Sequence, residues 1–245
     1  MSFEPIRIGN TRITKKTSTK AKAINAYEIS NEMSPHLMKS IKASTFEAAD
    51  VMTLRDYLKR ARYATEMYVA LRLVHDLGRQ MQALIAGGHC FACLGVDDVA
   101  VITHRVSDAF THKALPDSTL GDSRADPQFL FLNDRLLFEV DDSDGALLLN
   151  RPPALASSSS ISAFLSPELT AALASSDKRV HFKTAYYSVA QLIIYFLLNV
   201  DRIPDQAQSQ SQDPEYLRPI KGTKLSYFLM RWLKRLPSER TYVYI

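Results

Sequence analysis

Cys90 and Cys93 are the residues of this 245-residue chain whose types and spacing first suggest chemistry. They stand at the C-x-x-C spacing of redox pairs and half-zinc sites. Tetrahedral zinc needs two more ligands, yet there is no second C-x-x-C, and of six scattered histidines only His89 adjoins the pair. Two buried, inert thiols are the expected state, and no metal or cofactor is implied. Asp141-Asp-Ser-Asp-Gly145 has the residue types of a calcium loop without its spacing. With Gly145 at the glycine position of such a loop, Val140 and Arg151 fall where its terminal carboxylates belong. An acidic hairpin turn fits that segment better. No P-loop, dinucleotide fingerprint, zincin helix or nucleophile elbow is written anywhere in the chain.

Composition agrees with that silence. Only 8 residues are glycine, which disfavours architectures built on glycine-rich, phosphate-cradling turns. The chain is 46% apolar, with 11 Tyr and 11 Phe to fill a core, so whole-chain disorder is excluded. Two cysteines make no disulfide framework, and MSFEPIRIGN lacks the apolar run of a signal peptide. Tyr186–Val200 is the most apolar stretch and is shorter than the roughly 20 residues of a membrane span. The expected setting is intracellular, cytoplasmic and unanchored.

The net charge of +4 hides three blocks. Residues 1–62 carry 12 Lys and Arg against 6 Asp and Glu; residues 89–150 carry 4 against 11; residues 214–245 carry 7 against 2. Blocks of opposite sign pair with each other or with a partner, unless they are simply solvated faces. A basic stretch can also grip nucleic acid, although no aromatic before Tyr27 interleaves the first lysines.

These residues must be positioned by elements the pattern announces. Residues 1–50 read as a polar basic arm or vestigial N-terminal lobe, and 51–245 as a helical domain. Thr53 caps a short helix, and Tyr63–Ala86 places Met67, Leu71, Val74, Leu77, Met81 and Ile85 on one face until Gly87-Gly88 ends it. Val99–Ile102 reads as a short buried strand, and Phe129–Leu132, Leu136–Val140 and Ala146–Asn150 read as strands of a small β-meander. Thr103–Gln128, Ala156–Ser160 and Asp205–Asp213 read as loops. Thr184–Leu198 is apolar all round, as an enclosed helix must be, and Thr223–Leu236 is amphipathic with a basic outer side.

Three segments in order resemble a known family. Phe164-Leu-Ser-Pro-Glu-Leu169 is similar to the Ala-Pro-Glu segment of protein kinases. Thr184–Leu198 resembles the kinase core helix, with Ala185 in its Asp position, Tyr187 in its Trp position, Ser188 kept and Ala190 replacing Gly. Leu233-Lys-Arg-Leu-Pro-Ser-Glu-Arg240 resembles the closing pattern whose arginine pairs with the Ala-Pro-Glu glutamate. The narrower order of FLFLND, FLSPEL, YYS and GTKL is most similar to degenerate kinase-like proteins of large DNA viruses. The resemblance covers roughly residues 50–245. It implies an α+β, mostly α fold: a kinase-like helical C-lobe, a reduced irregular N-terminal lobe and the small β-meander. It also implies a buried Glu168–Arg240 ion pair.

The same alignment removes the catalytic set. Phe91-Ala92-Cys93 stands in place of His-Arg-Asp, so Cys93 takes the place of the base, and Gly95 that of the nearby lysine. Asp98 takes the place of the metal-binding Asn, and Asn133-Asp134-Arg135 that of Asp-Phe-Gly. No Val-Ala-Ile-Lys motif occurs, and Gly9 is the only glycine before Gly78. Phosphoryl transfer depends on such groups for positioning and charge neutralisation. The implied protein is a pseudokinase that binds or scaffolds a protein partner in the host cytoplasm or a virion. The alternatives are a divergent active kinase using Asp98 and Asp134, and a virion or assembly component whose basic arm and C-terminal helix hold an acidic partner or nucleic acid.

Overall fold

Apolar and polar residues alternate in Ile6-Arg-Ile8 and again in Arg12-Ile-Thr14, on either side of Gly9-Asn10. A Gly-Asn pair between alternating runs specifies a tight β-hairpin. Residues 4–16, 25–32, 34–41, 43–61, 67–104, 127–149, 164–198 and 215–242 are described in the computed structural model. That hairpin is strands β1 (Ile6–Ile8) and β2 (Thr11–Lys16), with Gly9 at φ +60°. β3 (Asn25–Asn31) and β4 (Thr45–Ala48) extend it into a four-stranded antiparallel sheet in the order β1-β2-β3-β4. Helix α1 (Pro35–Ser40), capped by Ser34, lies between β3 and β4. Polar composition suggests an exposed arm over residues 1–50, but Ile8, Ile13, Tyr27 and Ile29 are buried here.

β5 (Asp50–Thr53), β7 (Val99–Thr103) and β8 (Gln128–Phe131) make a three-stranded antiparallel sheet. It is buried on both faces, which is why VAVIT and QFLF read as continuous rather than alternating apolar runs. Val99, Val101, Phe129 and Phe131 face the large helical core; Ala100, Ile102, Leu130 and Leu132 face the core beneath the N-terminal sheet. The large core is built from α2 (Leu54–Ala61), α3 (Met67–Ala86), α4 (Pro167–Ala174), α5 (Thr184–Leu198) and α6 (Lys224–Trp232).

Several helix limits follow the capping rules. Thr53 Oγ1 accepts from the Asp56 amide at 3.2 Å, and Ser166 Oγ and Thr223 Oγ1 do the same for Leu169 and Ser226, each at 3.2 Å. Gly88, at φ +72°, closes α3 through its amide on the Ile85 carbonyl, 2.9 Å away. α6 stops at Trp232, four residues before the expected Leu236.

The expected mostly helical, kinase-like C-lobe with a reduced, irregular N-terminal lobe is not the fold. About 45% of the described residues are helical, 3-10 turns included, and 27% lie in strands, spread over four small antiparallel sheets. The expected β-meander is also absent among the described residues. β8 pairs β7, while β9 (Leu137–Glu139) pairs β6 (His89–Phe91) and β10 (Ala146–Leu148) pairs β11 (Arg179–His181). The physical reason lies in the connection between β8 and β9. Asn133 caps a 3-10 turn, Asp134–Leu136, which diverts the chain to a different partner instead of turning it back on β8. β9 and β10 share a single bridge, Val140 to Leu147, across the acidic turn closed by Gly145 at φ +70°. Of the expected loop Thr103–Gln128, Thr103 ends β7 and Gln128 begins β8, while its residues 105–126, like the expected loops at 156–160 and 205–213, lie outside the described residues.

Candidate functional site

Where β7 begins and β8 ends, the predicted site residues Asp98, Asn133 and Asp134 gather around one buried carboxylate. Asp98 closes the turn that leads into β7: its Oδ2 accepts from the Gly95 amide at 2.6 Å. Its Oδ1 accepts from Asn133 Nδ2, also at 2.6 Å, and its carbonyl accepts from the Leu132 amide at 2.9 Å. Asp98 is only 3% exposed. Burial pushes its carboxyl up to about 6 against the two hydrogen bonds that favour the charged form. On the outer side of the same turn, Arg55 of α2 grips Asp97 with Nε at 2.5 Å and a second nitrogen at 2.8 Å.

Asn133 and Asp134 are covered by the chain itself. The β1–β2 turn lays Gly9 against Asn133, close enough that a Cβ on Gly9 would overlap the Asn133 amide oxygen. Asn10 donates its backbone N–H to Asp134 Oδ1 at 3.0 Å and its side-chain amide to Oδ2 at 3.1 Å. Thr11 Oγ1 donates to the Leu132 carbonyl at 2.6 Å and accepts from Asn31 Nδ2 at 2.6 Å. Asn31 in turn accepts from the Ser34 amide at 2.9 Å, at the N-cap of α1. Hydrogen bonds thus run from the Asn133 turn through the hairpin to α1. Asn10 and Thr11 escaped the sequence reading, although Gly9-Asn10 between alternating runs is the signal that places them.

Phe91, Ala92 and Cys93 are fully buried where β6 leaves the helical core. Burial raises the thiols of Cys90 and Cys93 far above the usual range, with the Asp98 charge adding to the effect at Cys93. Neither is poised as a nucleophile or a proton acceptor. Ser188 of α5 fixes the same loop, accepting from the Leu94 amide at 3.0 Å and donating to its carbonyl at 3.3 Å. Among the described residues no group of three or more His, Cys, Asp or Glu comes together as metal ligands would.

Glu168 and Arg240, far apart in sequence, meet beside the start of α5. Arg240 is completely buried and uses all five of its N–H donors. Two go to the Glu168 carboxylate, the one to Oε2 at 3.0 Å. The others reach the carbonyls of Lys234 at 2.7 Å, Lys183 at 3.1 Å and Arg235 at 3.1 Å. Its guanidinium also lies 5.0 Å from the centre of the Tyr187 ring.

No family model matches the chain, and no curated protein does. Among the described residues no helix is long and apolar enough to cross a membrane. Of the basic N-terminal residues, Lys16 pairs with Glu28 at 3.1 Å, and Lys20 and Lys22 lie outside the described residues.

Proposed function

We propose that this protein is a non-catalytic binding or scaffold protein, a pseudoenzyme of the protein-kinase type. The observation that carries the reading is the internal use of the site's polar groups. Asp98, aligned with the metal-binding Asn, accepts from Gly95 and Asn133; Asn133, aligned with the Asp of Asp-Phe-Gly, is an amide that donates to Asp98; and the adjacent Asp134 accepts from Asn10, so these polar groups are spent on the chain's own hydrogen bonds. The residue aligned with the catalytic base, Cys93, is a buried thiol whose proton is held tightly. A phosphoryl-transfer site instead presents metal ligands and a base to solvent-borne substrate.

The reading rests on residue register and local contacts, and not on the mostly helical architecture that the fold excludes. The Glu168–Arg240 pair supports it, because a structural residue set persists beside a lost catalytic one. Titration with ATP and Mg²⁺, followed by thermal unfolding, is the direct test. A bound ligand at 100 times its Kd stabilises by about 2.7 kcal/mol, so real binding is readily seen. The expected result is an unchanged Tm and no phosphate transfer from labelled ATP. A saturable rise in Tm, or transfer that disappears in Asp98→Ala or Asp134→Ala, would overturn the proposal.

A further inference from the structure

The C-terminal segment carries a second feature that the Asp98 site does not use. Leu225, Phe228, Leu229 and Trp232 of α6 are buried in the large core, which leaves the opposite side of the helix facing water. Lys224, Tyr227 and Arg231 occupy that side at spacings of three and four residues, the period that aligns side chains along one stripe. The chain on either side of the helix adds the exposed cations Arg218, Lys234 and Arg235. Among the described side chains of residues 216–242, Glu239 is the one exposed acid. Tyr227 is 60% exposed, with a cation one helical turn to either side of it.

We propose that this stripe is a binding surface for single-stranded nucleic acid, with the cations on phosphates and Tyr227 stacked on an unpaired base. The inference gives the binding role proposed above a partner class, and it places that partner at the C-terminal segment and not at the N-terminal strands. Cations strung along one helix face fit a polyanionic backbone, and the exposed aromatic ring between them offers a platform any base can use. A bilayer is disfavoured by the same burial: an interfacial helix needs its apolar face for the acyl boundary, and α6 has committed that face to the core. An acidic peptide with apolar anchors would need a recess, whereas Tyr227 stands out from the surface.

Anisotropy of a labelled single-stranded oligonucleotide, titrated with the full chain across a range of salt, tests the surface. Neutralising about four phosphates should give a log Kd against log salt slope of magnitude roughly 3. The double variant Arg231→Glu/Lys234→Glu should weaken binding by about tenfold or more and flatten that slope. Tyr227→Ala should weaken it by about tenfold and leave the slope unchanged, because stacking is not a counterion effect. All three positions are exposed, and unchanged thermal unfolding of each variant shows that the loss is local. Absence of binding at low salt, or binding indifferent to both variants, would overturn the inference. So would capture by phosphatidylserine vesicles or polyglutamate in preference to the oligonucleotide. None of these results depends on ATP, so failure here and failure of the non-catalytic reading are told apart.

Discussion

Arg240 and Asp98 represent opposite solutions to burying a charge. Arg240 has a carboxylate partner, three carbonyl acceptors and an aromatic face, so its desolvation is offset on every side. Arg240→Ala would strand Glu168 in a half-buried position, and removal of one partner of a buried pair costs about 3–5 kcal/mol. Urea unfolding should show that loss, with Arg240→Lys recovering only part of it, because an ammonium cannot reproduce the two-pronged contact. Asp98 has two N–H donors and, among the described residues, no counter-ion. Its folded-state pKa of about 6 lies above the ordinary carboxyl value, so the folded protein holds the proton more tightly than the unfolded chain. The stability it contributes is therefore full below about pH 4 and is lost as pH rises to about 6, by roughly 3 kcal/mol at most. The difference in unfolding free energy between the natural chain and Asp98→Asn should change across that window and be flat above it. A difference constant from pH 4 to 7 would refute the assignment. The opposite pull of Asp56 and Asp141, both lowered by hydrogen bonds, belongs to more acid pH and cancels in the comparison.

At the scale of elements, the most informative contact joins a helix to the edge of a sheet. β8 is an edge strand, and its outward backbone groups would be unpaired beneath α3. Asp76 accepts from the Phe129 amide at 3.1 Å, and Gln80 does so from the Phe131 amide at 2.8 Å. The Gln80 amide also donates to the Phe131 carbonyl at 2.8 Å. Four residues of helix rise about 6 Å and two residues of strand about 6.6 Å, so the two spacings match and α3 stands in for a missing strand. Gln80→Met keeps the volume but leaves a buried amide and carbonyl unpaired. It should cost about 2–4 kcal/mol and speed hydrogen exchange at Phe131 specifically. Periodicity alone made α2, α3, α5 and α6 legible, because each carries an apolar stripe or is apolar throughout. It could not reveal Gln80, which reads as one polar residue among the apolar ones of α3. Nor could it reveal the sheet pairings. FLFLND and its neighbours specify strands, but which strands pair depends on the turn at Asn133, a tertiary choice. The Glu168–Arg240 contact was legible only through resemblance, since no local pattern links residues 72 positions apart.

For the whole molecule, the three-stranded sheet decides what can fold alone. One face completes the helical core and the other, with Val51, Ala100, Ile102, Leu130 and Leu132, completes the core beneath β1–β4. A division after residue 50 would remove β1–β4 and the first residue of β5, and leave that second face open to water. An apolar sheet face of that kind is an aggregation site, not a surface. The hairpin would also be lost from the Asn133–Asp134 turn, together with the hydrogen bonds of Asn10 and Thr11. A chain beginning at residue 51 should therefore aggregate or unfold without a cooperative transition, whereas the full chain should unfold in one step in which both cores melt together. Calorimetry of the full chain and size-exclusion of the truncated one check this. A monomeric, cooperatively folded 51–245 fragment would mean that the N-terminal sheet is an accessory. In that case the hairpin over Asn133 would be a cover resting on a site that folds without it, and nucleotide titration of the fragment would become the sharper test of whether the site is closed by its own residues or only by that cover.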